Sequence, residues 1–277
     1  MIHHKTDMRL NLRKYEDISN ITFVNNRYTH HQFTPHYHDE YLVLIVDEGV
    51  NGGVCQKTKY QVASNEVLLM NPGEIHTGYS LDNKLLSYRG VYIEPAFFKH
   101  LSNLLQTNSN YLPDFTQLHI KNPFFANDLR KMIFTIEKIP NPLAIQSVCI
   151  NFFENLLKNY ATLALKSDNF KHHKPGVKAI QDFIHAHYDE NFSLDALSRA
   201  VNLSPFHLIR LFKKEIGIAP YEYLRNYRIE RAKQLLRNKH SITETALSVG
   251  FYDQSHFHHC FRKLVGVTPK TFRSIQQ

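Results

Sequence analysis

The sequence predicts an α+β protein in two parts: a small antiparallel β-barrel or sandwich with trailing helices, then an all-α domain carrying two helix-turn-helix units. Three observations lead there. The chain has 277 residues, more than one domain usually holds. Short apolar runs separated by turn residues fill residues 18–93, a spacing that leaves no room for the crossover helices of a parallel sheet. The C-terminal third repeats itself at an offset of 48 to 49 residues. With 43% hydrophobic and 21% charged residues, 10 glycines and 11 prolines, the composition excludes a disordered or collagen-like chain.

Strands are expected over Ile18 to Val24, Tyr41 to Val46, Val67 to Met70 and Leu85 to Ile93, punctuated by Gly49, Gly52-Gly53 and Pro72-Gly73. Helices are expected next over Pro95 to Gln106, Pro123 to Ile139 and Pro142 to Leu165. Each begins near a proline, whose missing N–H costs nothing in a first helical turn. In the third, Ile145, Val148, Cys149, Phe152, Leu156, Tyr160 and Leu163 recur at spacings of three and four and form one apolar stripe. That stripe either packs on the sheet or pairs with its copy in a homodimer.

Between Lys166 and Gly176 the apolar period lapses and a Pro-Gly breaker follows, which places a linker at 166–176 between a domain over 1–165 and another over 177–277. Charge divides at the same place. From Lys174 onward 16 Lys and Arg face 9 Asp and Glu, whereas 17 face 16 before it. A basic module beside a near-neutral one is the asymmetry of a polyanion-binding domain. Three cysteines far apart in sequence, Cys55, Cys149 and Cys260, build no disulfide framework. Apolar runs such as Tyr41 to Val46 fall far short of the roughly 20 residues of a membrane span, and the N-terminus lacks a signal-peptide pattern, so a cytoplasmic protein off the membrane is expected.

In the repeat, Ser193-Leu194 matches Ser241-Ile242, Leu208 matches Phe257, Phe212 matches Phe261, Gly217 matches Gly266 and Pro220 matches Pro269. Each copy reads as a short helix, a tight turn, a second helix and a glycine stop. Ser193 caps one first helix and Ser241 with Glu244 forms a capping box on the other, while Ser204-Pro205 and Thr268-Pro269 set a hydroxyl before a first-turn proline. Leu197, Val201, Leu203, Leu208, Phe212 and Ile216 are expected in one core, and Val249, Phe251, Phe257, Phe261 and Val265 in the other. Between them Phe206, His207, Ile209, Arg210 and Lys213, then Gln254, Ser255, His256, His259 and Arg262, face outward. A second helix of such a unit enters the major groove, where Arg pairs with guanine, Gln or Ser with other base edges, and an apolar side chain with a thymine methyl. A joining helix over about Tyr221 to Arg237 spans roughly 25 Å, enough with its turns to hold the two probes about one DNA turn apart.

The stretch from Val177 to Arg273 resembles the DNA-binding domain of the AraC/XylS family of bacterial transcription regulators. The residues that carry the resemblance are Ser193-Leu-Asp-Ala-Leu-Ser-Arg-Ala-Val-Asn-Leu-Ser-Pro-Phe-His-Leu-Ile-Arg-Leu-Phe-Lys-Lys, Ala246-Leu-Ser-Val-Gly-Phe-Tyr-Asp-Gln-Ser-His-Phe, Phe261-Arg-Lys, Gly266-Val-Thr-Pro and Phe272-Arg273. By matching positions the resemblance implies base contacts at Phe206, Ile209, Arg210, Ser255, His256 and His259. Ile209 and His258-His259 depart from residues common in the family, which bears on the preferred base sequence. The resemblance also implies double-stranded DNA and RNA polymerase as partners.

His36, His38 and Glu40 alternate at a period of two, so an extended chain points all three to one face, and His76 follows Pro72-Gly73. Pro35-His-Tyr-His-Asp-Glu-Tyr and Asn71-Pro-Gly-Glu-Ile-His resemble the cupin-like sensor arm of the same regulators, which implies a small-molecule effector. Three interpretations stand for His36, His38, Glu40 and His76: polar lining of a ligand pocket, ligands of a divalent metal such as zinc, or satisfied structural histidines. Tyr79, Tyr88 and Arg89 are candidates to orient a ligand. The expectation is a regulator with no catalytic residues and no required cofactor; the alternatives are a metal-dependent cupin enzyme carrying a DNA-binding module, and an effector-independent DNA binder.

Overall fold

The computed structural model describes residues 8–15, 18, 20–104, 111–165 and 175–275. Its first part is built on antiparallel strands: β1 (Arg9–Lys14), β2 (Ile21–Tyr28), β3 (Gln32–His36), β4 (Tyr41–Glu48), β5 (Val50–Cys55), β6 (Thr58–Ala63), β7 (Val67–Met70), β8 (His76–Ser80), β9 (Leu86–Ile93), β10 (Tyr111–Phe115), β11 (His119–Ile120) and β12 (Ala161–Leu165). One sheet has the order β1-β2-β9-β4-β7-β11, a second β3-β8-β5-β6, and β10 pairs with β12. The strands expected at Tyr41, Val67 and Leu85 all form, and the one expected from Ile18 starts three residues later at Ile21.

Central β4 explains how this domain holds together. Its run Tyr-Leu-Val-Leu-Ile-Val is apolar throughout because both faces are covered. Tyr41, Val43 and Ile45 point into a core with Phe98, Phe125, Leu129, Phe152 and Phe153 of the helices, while Leu42, Leu44 and Val46 point into the barrel against Cys55, Tyr60 and Val62. The helices are α1 (Pro95–Leu104), α2 (Pro123–Lys138) and α3 (Pro142–Tyr160). Asn122 and Asn141 cap the latter two by accepting from first-turn amides, and each is followed by proline at the first helical position. Residues 105 and 106 of the expected first helix lie outside the described residues.

The third helix ends at Tyr160, five residues before the expected Leu165. Ala161–Leu165 instead becomes β12, whose backbone pairs Ala161 with Phe115 and Leu163 with Pro113. Sheet pairing with a distant segment thus overrides a helical period that the sequence carries only weakly there. Of the stripe, Ile145, Cys149, Phe152 and Leu156 are buried within the same domain, which favours packing on the sheet.

The second part is helical: α4 (Pro175–Ala186), α5 (Leu194–Ala200), α6 (Pro205–Ile216), α7 (Pro220–Arg237), α8 (Ile242–Ser248), α9 (Gln254–Val265) and α10 (Pro269–Ile275). Pro175-Gly176, expected to close the linker, forms the first turn of α4 instead, since proline there loses no hydrogen bond. Residues 166–174 of the expected linker lie outside the described residues. Both repeats form helix-turn-helix units, α5–α6 and α8–α9. Ser193, Ser204 and Ser241 accept from first-turn amides as expected, and Gly217 and Gly266 close α6 and α9 in the left-handed region at φ 100° and 85°.

Each unit has its own core. Val177, Ile180, Ile184, Leu197, Leu208 and Phe212 fill the first; Ala246, Val249, Phe251, Phe257, Phe261 and Phe272 fill the second. The joining helix α7 belongs to both: Tyr223 and Leu224 enter the first core, Ile229, Ala232 and Leu236 the second. Among the expected core residues, Val201, Leu203, Ile216 and Val265 are only partly buried and pack at the margins.

Candidate functional site

Helices α6 and α9 are the second helices of the two units. Both are amphipathic by the same spacing: Leu208 and Phe212 face inward on one, Phe257, Cys260 and Phe261 on the other. The remaining faces are open. Phe206, His207, Ile209, Arg210, Lys213, Gln254, Ser255, His256, His259 and Arg262 are all exposed with the barrel in place. Phe206 is 76% exposed although it is a large apolar residue, and Tyr252, just before α9, is 88% exposed. Each adjoins the exposed polar and basic residues of its helix, so the two helices present similar mixed apolar and basic faces. Thr243 of α8 donates to Gln254 Oε1 at 3.1 Å and orients that side chain. The joining helix has 18 residues and so spans roughly 27 Å.

A second site lies where the barrel meets the helical domain. Here the chain between β3 and β4, Tyr37 to Glu40, lies along α7. The Tyr37 ring stacks on Tyr223 with centroids 5.6 Å apart. The Asp39 amide donates to Glu230, Lys233 Nζ donates to Glu40 at 2.9 Å and to Glu230 at 2.8 Å, and Arg237 donates to Glu40. Burial disfavours the Glu40 carboxylate, yet Lys233 and Arg237 outweigh it and hold its pKa far below the ordinary range. Glu230, buried beside Glu40 and Asp39, is pushed up instead. Burial would lower Lys233, but its two carboxylates keep it above its usual value.

Next to this network a cavity of about 50 Å³ is lined by Leu10, Leu12, Phe33, His36, His38, Glu40, Tyr88 and Tyr92 of the barrel and by Ile229, Glu230, Lys233, Arg237, Leu264 and Phe272 of the helical domain. His36, His38 and His76 gather on the barrel side. Ring centroids of His36 and His76 are 4.3 Å apart, and those of His38 and His76 are 5.0 Å apart. The three Nδ1 atoms lie at 2.8, 2.6 and 2.8 Å from the carbonyls of Thr34, Glu40 and Glu74. A carbonyl only accepts, so each Nδ1 carries the proton and each Nε2 keeps a lone pair. The His38 Nε2 is buried and has no hydrogen-bond partner among the described residues. Burial pushes the imidazoles of His36 and His38 down to about 4, and that of His76 well below the ordinary range, so all three are neutral at pH 7.

Of the expected ligand residues, His36, His38, Glu40 and Tyr88 line this cavity, and His76 stands against the two histidines. Glu40 lines the cavity, but its carboxylate is already paired across the contact between barrel and α7. Strand β3 ends at His36, so the period of two does not continue, and the carboxylate turns to Lys233 and Arg237. Among the described residues no three His, Cys, Asp or Glu side chains are arranged to hold one metal ion, which does not favour the metal-ligand interpretation of His36, His38, Glu40 and His76 over the other two. Arg89 is not in the cavity either. It follows Tyr88 on β9 and therefore points through the opposite face, where it makes a two-pronged ion pair with Asp47 at 2.7 and 3.0 Å. Tyr79 also lies apart, its ring packed over the backbone of Gly52 in the smaller sheet.

Two family matches cover these two regions. Residues 19–153 match the AraC-like ligand binding domain, and residues 197–275 match a helix-turn-helix domain. The HTH-type transcriptional regulator YbfI of Bacillus subtilis is 30% identical over 81% of this chain and 81% of its own length. The chain belongs to the AraC family of transcription regulators. It is a sequence-specific DNA-binding regulator of transcription. The HTH-type transcriptional activator RhaS of Escherichia coli is 25% identical to it over 87% of each chain. The crystal structure of ToxT from Vibrio cholerae O395 superposes on 92% of this chain and 98% of its own with a TM-score of 0.51 at 14% identity, a likeness of fold. Among the described residues no helix is long and apolar enough to cross a membrane.

In this AraC-family chain the helical side of the cavity, Ile229, Glu230, Lys233 and Arg237, escapes a sequence reading that looks for the sensor in the barrel alone. A local signal does exist. Ile229, Lys233 and Arg237 recur at spacings of four along a helix that must also serve two cores, and Arg237 has no acidic residue three or four positions away on the helix to pair with.

Proposed function

We propose that α6 and α9 read successive major-groove segments of one duplex, and that a small molecule entering between barrel and helical domain changes how they meet it. Phe206, Ile209 and Arg210 on α6, with Ser255, His256 and His259 on α9, make the base contacts. His207, Lys213, Gln254 and Arg262 flank them toward the phosphates and neighbouring edges.

The observation that carries the effector switch is the seating of Tyr37 to Glu40 on α7, the helix both units share. At about 50 Å³ the cavity falls far below the roughly 300–1,000 Å³ of pockets that enclose a drug-sized ligand. An effector therefore enters only if the barrel and α7 part, and its binding energy goes into that separation. The result is a shift between two domain arrangements, with an effector apolar along Leu12, Phe33 and Phe272 and polar toward His38 and Lys233. Its partners are double-stranded DNA, that effector and RNA polymerase. A homodimer would use the exposed Phe134, Leu143 and Ile150 of α2 and α3, since the inner stripe is already covered.

The test takes a duplex selected from a randomised library by the purified chain and measures its affinity before and after adding compounds that raise the thermal unfolding temperature. A change in affinity or footprint is expected for at least one stabilising compound. Unchanged affinity and unchanged transcription from that duplex, for every compound that stabilises the chain, would remove the switch and leave a constitutive DNA binder.

A further inference from the structure

Arg228 stands on α7 between Leu224, which belongs to the first core, and Ile229, which belongs to the second. Although cationic and in a DNA-binding domain, it is buried and offers nothing to a phosphate. Its guanidinium is spent on three backbone carbonyls instead. Nε donates to Tyr188 O at 2.6 Å and Nη2 to Glu190 O at 2.9 Å, both in the connection between α4 and α5 of the first unit. Nη1 donates to Gly250 O at 2.6 Å, in the turn between α8 and α9 of the second. The same group lies over the Phe251 ring, 5.8 Å from its centroid.

The second unit is shaped to receive this fork. Gly250 has φ 81°, and a Cβ there would stand 2.8 Å from Arg228 Nη2 and 2.7 Å from Asp189 O. Only glycine lets the turn come so near. Beside the fork a cleft of about 320 Å³, lined by Glu190, Phe192, Tyr221, Arg228, Tyr252 and His256, separates the two units. The units thus face each other across open space, and along this cleft Arg228 spans them.

We infer that Arg228 is a positioning residue that fixes the spacing and rotation of α6 relative to α9, and so sets how many base pairs separate the two DNA segments the chain recognises. A planar guanidinium reaches three separated carbonyls through three different nitrogens held in fixed directions, whereas the three donors of an ammonium all radiate from one atom on a flexible stem. The inference rests on both helices entering one duplex, as proposed above. Inserting or deleting one base pair between the segments turns one against the other by about 35° and shifts it by about 3.4 Å, so a rigidly held pair discriminates between spacings and a loose pair tolerates them.

The experiment uses the full chain and the duplex it selects from a randomised library, together with copies bearing one base pair more or fewer between the protected segments, and duplexes carrying one segment each. Arg228→Lys keeps the charge and the stem; Arg228→Met removes the charge. The wild-type chain is expected to bind the altered spacings about tenfold more weakly than the selected one. Arg228→Lys is expected to lose affinity for the selected duplex, to bind all three spacings within about twofold, and to bind single-segment duplexes like the wild type. Should Arg228→Met fail to fold, Arg228→Lys carries the test alone. An Arg228→Lys protein that keeps the wild-type spacing preference, or weakens equally on single segments, overturns the positioning role. A wild-type chain indifferent to spacing overturns instead the two-helix engagement on which that role stands.

Discussion

In the first helix-turn-helix unit Leu208 and Phe212 are sealed against α4, and among the described residues of the barrel only Tyr37 and, at the margin, Ile75 reach that core. In the second, Phe257 and Phe261 share one continuous core with the barrel's Leu12, Val24, Leu42 and Leu44. Gly266 at the end of α9 packs against Leu10 and Phe33 of the barrel. Two copies of one sequence pattern thus differ in their anchorage. One unit rests largely on its own helices, while the other is an extension of the sensor, so a change in the barrel reaches α9 through a broad packed core and α6 chiefly through Tyr37 and α7.

The comparison breaks most visibly in the cores. Phe261→Ala and Phe212→Ala each remove a fully buried ring and are expected to cost about 3–5 kcal/mol. Their reach should differ. Hydrogen exchange of the full chain is expected to show lost protection in β1, β2 and β4 as well as α9 for Phe261→Ala, and in α4 to α6 alone for Phe212→Ala. Equal spread from both would mean the units are anchored alike.

Glu40→Gln comes next. It leaves Arg237 without its nearest buried carboxylate and Lys233 with Glu230 only, and removing one member of a buried ion network costs about 3 kcal/mol. That loss falls on the contact between barrel and α7. Two unfolding transitions in urea are expected where the wild type shows one, and a single cooperative transition at the wild-type midpoint would show that the network does not hold the domains together.

How far these sites can be read in the sequence follows from the reach of each interaction. The repeat, its caps and its outward faces depend on residues three or four apart, so Ser204, Gly217, Arg210 and His259 can be placed from the chain alone. The period of two that groups His36 and His38 extends to Glu40 on paper, but the strand stops at His36 and a partner about 190 residues away, Lys233, takes the carboxylate. Arg89 fails for the same reason in mirror image: adjacent to Tyr88 on β9, it must face the other way, and that follows only once the strand's buried face is known. Ala161–Leu165 turned from helix to strand because β10 was there to pair with it.

On the DNA side the effect is smaller. Arg210→Ala is expected to cost about 2 kcal/mol against a single preferred base pair and to relax selection at that position, whereas Lys213→Ala should weaken all sequences alike and lower the salt slope. Competition binding with singly substituted duplexes separates the two. A uniform loss for Arg210→Ala would move it to the phosphate backbone.

Acid should act on the anchored unit first. His36 and His38 titrate near 4 when folded and near 6.5 when unfolded, so between those values the unfolded chain binds more protons. Their contribution to stability is complete well above pH 6.5 and declines as pH falls toward 4, the loss reaching about 1.4 kcal/mol per histidine at pH 5.5. Denaturant unfolding at pH 8 and 5.5 is expected to show this loss in the barrel and α9, and a His38→Gln chain should lose less on acidification. An identical pH dependence in that variant would mean that other groups are responsible.

The smallest expected difference lies in the caps of the two recognition helices. Ser204 accepts from the His207 amide at 3.4 Å, a long and weak contact between neutral groups, while Asp253 accepts from the His256 amide at 2.7 Å with a full charge at the positive end of the helix. Asp253→Ala is therefore expected to cost about 1 kcal/mol and Ser204→Ala about 0.5 kcal/mol, read from unfolding midpoints at low salt. Raising the salt should shrink the first loss and leave the second, because only the charged cap is screened. Losses that are equal and insensitive to salt would show that the two helices are held at their starts by the same forces, and that their difference resides in anchorage at their far ends alone.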